Sequence, residues 1–212
     1  MAERAHPDDK GFNDMYFGLK KNPYRAKLYE RYQFCNQFIK NKDICDFPCG
    51  TGWGTSLLKG YKNVIGYDIS EEAVTFAKKR FARKNINFDV ANMISIPLPE
   101  DSLDVLLCLE GFEHVEKKVG LKFLEECKRV VKRDGLIIMT CPVLNEFGNA
   151  TSNPYHLNEY DEKELISLLN ENFRIVKLDR LIAPDSPMYR MVLSNIKNVR
   201  YASSLTESST KK

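Results

Sequence analysis

Asp46-Phe47-Pro48-Cys49-Gly50-Thr51-Gly52-Trp53-Gly54 is the stretch whose reading decides the fold. An apolar run over 44–47 leads into it and Thr55-Ser56-Leu57-Leu58 follows, which reads as a strand, a glycine-rich turn and a helix start. Glycines at 50, 52 and 54 let the backbone take dihedrals that a Cβ forbids and pass close to a ligand. The unpaired N–H groups of the following helix then face whatever the turn holds. Such a turn suits a nucleotide-like ligand lying against bare backbone.

Working outward, the sequence alternates. Toward the N-terminus, Asn22-Pro23 reads as a cap followed by proline in the first helical turn. Tyr24, Leu28, Tyr32, Cys35 and Ile39 then recur at helical spacing, predicting a helix to about Lys40. Residues 1–21 are polar and carry an aromatic cluster at Phe12, Tyr16 and Phe17, expected to fold over something. Toward the C-terminus, a short helix covers 55–58 and a strand 63–67 ends at Asp68. Ser70 caps the next helix, with Glu71 and Glu72 placed to favour its N-terminus and Ala73, Phe76, Ala77 and Phe81 on one face. A strand over 86–90 and a proline-containing loop over 92–101 follow.

The run LDVLLCL at 103–109 is continuously apolar, as in a strand covered on both faces. A helix over 116–131 carries its apolar stripe at Val119, Phe123, Leu124, Cys127, Val130 and Val131. Asp134-Gly135 is expected to close it and to open a strand over 136–141. Asp161 and Glu164 resemble a capping box for a helix to about Glu171. Strands over 173–181 and 188–196 are joined by a connection too short for a crossover helix, so they pair antiparallel. The expected fold is α/β, a Rossmann-like doubly wound sheet, mostly parallel with an antiparallel last strand. Its ligand lies at the strand C-termini. The expected divisions are an N-terminal cap segment and helix over 1–42, one domain over 43–200, and a disordered Ser/Thr/Lys-rich tail over 201–212.

Composition bounds the function classes. A length of 212 residues, 43% hydrophobic and 29% charged, suits one soluble domain with a sizeable core. A formal charge of +3 carries no argument for nucleic acid. No apolar run approaches the roughly 18 residues of a membrane span, and the first ten residues lack the apolar core of a signal peptide. The six cysteines at 35, 45, 49, 108, 127 and 141 show neither zinc nor redox spacing, so they read as reduced structural thiols in a cytoplasmic protein. No sequence signal fixes an oligomeric state.

Two ligand classes compete for the glycine turn. A dinucleotide fingerprint wants G-x-G-x-x-G, whereas this chain reads G-x-G-x-G with Thr55 in the third place. Asp46 at the mouth of the first strand repels a pyrophosphate and suits a ligand bearing an amino group and a sulfonium. Asp68 is placed to accept from both hydroxyls of a ribose, a feature common to the two classes.

The pattern Asp46-x-x-x-Gly50-Thr51-Gly52-x-Gly54 resembles the first motif of class I S-adenosylmethionine-dependent methyltransferases, of the type 11-like small-molecule kind. The resemblance runs in order over roughly residues 40–180. Asp68 matches the acidic ribose position and Ile69 the apolar residue that packs on adenine. Val90-Ala91-Asn92-Met93 matches the third motif, with Asn92 where an Asp usually accepts from the adenine amino group. Leu109-Glu110-Gly111-Phe112-Glu113-His114-Val115 and Glu126-x-x-Arg129-Val130-Val131-x-x-Asp134-Gly135 are similar to the later motifs. The resemblance implies S-adenosylmethionine as cofactor, held by Asp46, Cys49, Gly50, Thr51, Gly52, Asp68, Ile69, Asn92, Met93 and Leu109.

The chemistry implied is methyl transfer to a small-molecule acceptor. An alcohol acceptor needs a base. His114 follows the fourth strand and is one candidate, its bland alternative being, with Glu113, a cap or brace of the next helix. His156 is the other, within Asn153-Pro154-Tyr155-His156-Leu157-Asn158-Glu159-Tyr160. A similar His-x-x-Glu-Tyr stretch occurs in methyltransferases acting on sugars and polysaccharides, and loosely in quinone O-methyltransferases, which makes a sugar or glycan-precursor hydroxyl the preferred acceptor. Tyr16, Glu113 and Tyr155 are expected around the substrate, Tyr16 as a lid. The Asn/Asp-Pro-Pro-Tyr/Phe motif of nucleic-acid amino-methyltransferases is absent after the fourth strand, where Leu109-Glu110-Gly111-Phe112 stands. A catechol-type metal site finds Glu110 and Glu113 but no partner in Cys141-Pro142-Val143, so no metal is expected. Outside this class stand a nicotinamide-dependent oxidoreductase and a non-catalytic partner subunit of the same fold.

Overall fold

The computed structural model describes residues 23–144, 153–181 and 187–195. The expected cap at Asn22, the lid residue Tyr16, Ile196 and the tail over 201–212 lie outside them. Seven strands form one sheet in the order β3-β2-β1-β4-β5-β7-β6. They are β1 (Asp43–Asp46), β2 (Asn63–Asp68), β3 (Ile86–Val90), β4 (Leu103–Leu109), β5 (Val131–Pro142), β6 (Arg174–Leu181) and β7 (Met188–Ser194). The first five are parallel and β7 runs antiparallel between β5 and β6. The helices are α1 (Pro23–Cys35), α2 (Trp53–Ser56), α3 (Glu71–Phe81), α4 (Lys117–Val130) and α5 (Glu162–Asn172).

Alternation along the central strands divides the core in two. Cys45, Leu106, Cys108 and Ile137 pack with α4 and α5, while Ile44, Val105, Leu107 and Ile138 pack with α1 and α3. That is why β4 is apolar throughout: each face of it is covered. On α4 the buried positions are Gly120, Phe123, Leu124, Cys127 and Val130, one stripe of a 3.6-residue repeat. The caps read from the sequence are present. Ser70 Oγ accepts from the Ala73 N–H at 3.3 Å, and Asp161 accepts from the Glu164 N–H at 3.0 Å. All six cysteines are free and buried. No helix among the described residues is long and apolar enough to cross a membrane.

Two expected boundaries move. Helix α1 stops at Cys35 rather than Lys40, and tight turns follow, with the Phe38 N–H on the Cys35 carbonyl at 2.9 Å. Ile39 keeps its buried place through the turn, which is why the helical spacing ran on past the helix. Strand β5 starts at Val131, directly after α4, and Asp134-Gly135 lies within it. Leu103 pairs with Val131 but Val105 pairs with Leu136, so the extra residues of β5 form a bulge there.

One brace fixes the loop between β3 and β4. The Arg129 guanidinium donates to the Leu98 and Ile96 carbonyls at 2.8 Å each and to both Glu126 oxygens, of which Oε2 also accepts from the Ile96 N–H at 2.7 Å. Replacing Arg129 by alanine leaves the Leu98 carbonyl without this donor. It also removes one of two kinds of donor from the Ile96 carbonyl and the Glu126 carboxylate, which keep backbone N–H groups. Arg129→Ala is expected to lower the unfolding free energy by about 2 kcal/mol, seen as a lower denaturant midpoint with unchanged slope.

Candidate functional site

Strand order runs outward in both directions from the β1/β4 pair, which makes the C-terminal ends of β1 and β4 the topological switch point. The glycine turn leaves β1 here. Its three glycines do three jobs. Gly50, at φ +54°, has open space where a Cβ would stand. Gly52, at φ +77°, packs so closely that a Cβ would sit 2.7 Å from Ala77 Cβ and the Phe88 ring. Gly54 lies against Tyr32, whose ring a Cβ would enter at 2.1 Å. Only the first of these leaves room for a ligand. The other two let α2 close onto α3 and α1.

Asp46 ends β1 fully buried behind this turn. Its Oδ2 accepts from the Thr55 hydroxyl at 2.6 Å and the Tyr32 hydroxyl at 3.2 Å, and Oδ1 is buried with no partner. Burial pushes its carboxyl up to about 7, against the two hydroxyl donors, with the neighbouring Asp68 charge adding to the rise. Asp68, ending β2, is held differently. Its Oδ2 accepts from the Gly50 N–H and its Oδ1 from the Ser70 N–H, both at 2.9 Å, so two backbone groups fix the plane of the carboxylate. Ile69 beside it is 67% exposed, the most exposed large apolar side chain described. Asn92 is exposed with its Oδ1 accepting from the Ile94 N–H at 3.2 Å, while Met93, Cys49, Thr51 and Leu109 are buried.

A second group gathers at the ends of β4 and β5. Glu110 leaves β4 at φ +56°, a left-handed conformation uncommon for a residue with a Cβ. Its Oε2 pairs with the buried Arg31 of α1 at 3.3 Å, and its Oε1 is buried without a partner. Glu113 is fully buried and neither of its oxygens has a partner. Burial, with the Glu110 charge next to it, holds the Glu113 carboxyl well above the usual range. The Glu113 carbonyl accepts from the Leu157 and Asn158 N–H groups at 2.9 and 3.1 Å, which pins the loop before α5 onto the end of β4.

That pinning brings His156 to His114, their rings 5.0 Å apart at 78°. The two histidines differ in what they can do. His114 Nδ1 lies 3.0 Å from the Tyr155 carbonyl, which accepts only, so Nδ1 carries the proton and Nε2 the lone pair. His156 Nδ1 meets the Glu159 carboxylate at 2.5 Å and so donates, and Nε2 accepts from the Asn153 amide at 3.0 Å. Asn153 is oriented by its own Oδ1, which accepts from the Tyr155 N–H at 3.0 Å. Both His156 nitrogens are therefore engaged. Tyr155 is 42% exposed beside them.

Sequence reasoning did not connect Asp46 to Tyr32 and Thr55, nor Glu110 to Arg31. Tyr32 was visible as a polar tip on the apolar stripe of α1, but no local signal names its partner. Glu113, His114 and His156 each offer a ligand atom within 4.8 Å of the others. Their meeting depends on a loop that returns from the far end of β5.

Comparison with known proteins agrees with this layout. Residues 45–139 match the methyltransferase domain family. The chain is 32% identical over 132 residues to a protein of Mycobacterium tuberculosis named a probable S-adenosylmethionine-dependent methyltransferase, covering 60% of this chain and 47% of that one. It is 34% identical over 108 residues to a ubiquinone/menaquinone biosynthesis C-methyltransferase of Campylobacter jejuni, covering 47% and 44%. The chain thus spans about half the length of these relatives. Its fold matches the crystal structure of a Pyrococcus horikoshii protein at a TM-score of 0.69 and 19% identity, over 85% of this chain and 95% of that one.

The buried Asp46 carries a pH signature. Its folded value, about 7, stands above the 3.8 of an exposed carboxyl, so the folded state holds a proton that the unfolded state has lost. Stability is expected to fall as pH rises from about 4 to about 7, at up to about 1.4 kcal/mol per pH unit, and to level off above. Asp46→Asn should flatten that slope. The check is urea unfolding of both proteins at half-unit pH steps.

Proposed function

We propose that the chain is an S-adenosylmethionine-dependent methyltransferase acting on a hydroxyl of a small acceptor, a sugar or glycan precursor being the first class to try, because residues 45–139 match the methyltransferase domain family and a relative carries that name. The observation that carries the reading is the pairing of Gly50 with Asp68. A glycine that opens onto empty space donates its own N–H to the carboxylate ending the neighbouring strand. Backbone and carboxylate thus form one surface with room above it. A ribose edge fits there, since each Asp68 oxygen keeps acceptor capacity beyond its one backbone bond. The exposed face of Ile69 suits a flat base, and the Asn92 oxygen can take an amino hydrogen beyond the one from Ile94.

S-adenosylmethionine, when bound, supplies a methyl group on a positively charged sulfur, so the protein's task is chiefly alignment of a nucleophile with it. The chain's own residues for that task are at the next strand end. His114 is the one of the two histidines whose ring leaves a lone pair for the acceptor's proton, because Tyr155 fixes its tautomer. His156, bonded at both nitrogens, positions the loop that carries Tyr155. The Campylobacter relative is named a C-methyltransferase, so an activated quinone-type ring is the second acceptor class to screen.

Calorimetric titration with S-adenosylmethionine, its demethylated product and NAD tests the reading. Binding of the two sulfur ligands in the micromolar range is expected, weakened about 100-fold in Asp68→Ala through loss of two charge-assisted bonds. Silence from both sulfur ligands would sink the methyltransferase reading. NAD binding in their place would leave an oxidoreductase, and silence from all three a partner subunit.

A further inference from the structure

We propose that Glu113, His114 and His156 form a binding site for a divalent transition-metal ion, which rests on the reading above by placing the ion on the acceptor side of the same site. Two imidazoles and one carboxylate offer ligand atoms within 4.8 Å of one another. That donor set holds catalytic zinc and non-haem iron elsewhere and leaves coordination positions open. Imidazole donors favour first-row transition metals over magnesium or calcium.

Two independent observations point to a cation here. First, both Glu113 oxygens are fully buried with no hydrogen-bond partner, although a buried carboxylate without a donor is costly. Second, each histidine is held as a metal ligand is held. A ligating imidazole donates its other N–H to a carbonyl or a carboxylate, which sets ring and tautomer. His114 donates Nδ1–H to the Tyr155 carbonyl, and His156 donates Nδ1–H to the Glu159 carboxylate. Each then presents Nε2, that of His156 exchanging its Asn153 bond for the ion.

The sequence argued against a metal because the residues directly after β5, Cys141-Pro142-Val143, offer no donor. The donor comes instead from His156, farther along the same connection, drawn in by the Leu157 and Asn158 N–H groups on the Glu113 carbonyl. With an ion in place, His114 serves as a ligand rather than a base. Such an ion would make an acceptor hydroxyl in an open position easier to deprotonate, its proton passing to water, and its oxygen would bond the methyl carbon as the carbon–sulfur bond breaks and the demethylated cofactor leaves.

The test uses the full chain, stripped with a chelator and titrated with Mn(II) by electron paramagnetic resonance and with Zn(II) by calorimetry, without acceptor. One ion per chain is expected, with affinity reduced at least about tenfold in His114→Ala, in Glu113→Gln and, through loss of the ring's orienting carboxylate, in Glu159→Gln. His114 is only partly buried, so that variant keeps the test open should Glu113→Gln fail to fold. No binding of either ion, or equal affinity in wild type and His114→Ala, overturns the proposal. S-adenosylmethionine titrated into the same stripped protein separates the two readings. Cofactor binding without metal binding removes this inference alone, and loss of both removes the proposed function with it.

Discussion

The fold around the site depends on one buried carboxylate. Asp46 is the point where β1, α1 and α2 meet, because the hydroxyls of Tyr32 and Thr55 both end on its Oδ2. Neither hydroxyl reaches it unless the backbone lets the helices approach. Gly54 permits the Tyr32 ring to lie where a Cβ would stand, and Gly52 permits α2 to close on Ala77 and Phe88. The glycines and the carboxylate are therefore one device. The desolvation of Asp46 is offset only in part by two donors, and Oδ1 is left bare. A protein built for stability alone would place an amide or an apolar group there.

The same trade recurs at the other half of the sheet edge. Glu110 takes a left-handed backbone, and Glu113 buries a carboxyl without a donor. Both follow directly from the end of β4, whose apolar run is covered on each face. Rigid strands thus hold unfavourable groups in place, and the costs collect at the switch point rather than across the molecule. The relation explains why Arg31 is buried in α1: it is the guanidinium facing the Glu110 charge, brought in by the same helix that carries Tyr32.

Most of the fold was legible in the sequence because its signals are local. The continuous apolar strand at 103–109, the caps at Ser70 and Asp161 and the short connection before β7 each depend on a few neighbouring residues. What was misread had a local pattern overruled by packing. Ile39 continues the spacing of α1 after the helix has ended, and Asp134-Gly135 sits in a bulge where a strand start was expected. The layout of the glycine-turn half of the candidate site was likewise readable, since it is built from a turn and the first residues after strands. The other half was not. Glu113 and His156 are 43 positions apart and meet through backbone bonds that no spacing announces.

The glycine spacing then gains a physical meaning that motif matching alone does not give it. In a G-x-G-x-x-G turn the third glycine lets the helix pack on the strand by having no side chain. Here the position holds Thr55, buried completely, and its side chain is needed: without the hydroxyl, Asp46 would keep a single donor, from Tyr32. Close approach occurs one residue earlier, at Gly54, and is to the Tyr32 ring of α1. The turn is thus not a decayed dinucleotide fingerprint but a different solution, in which the helix is tied to the strand through a carboxylate rather than laid against it through a glycine.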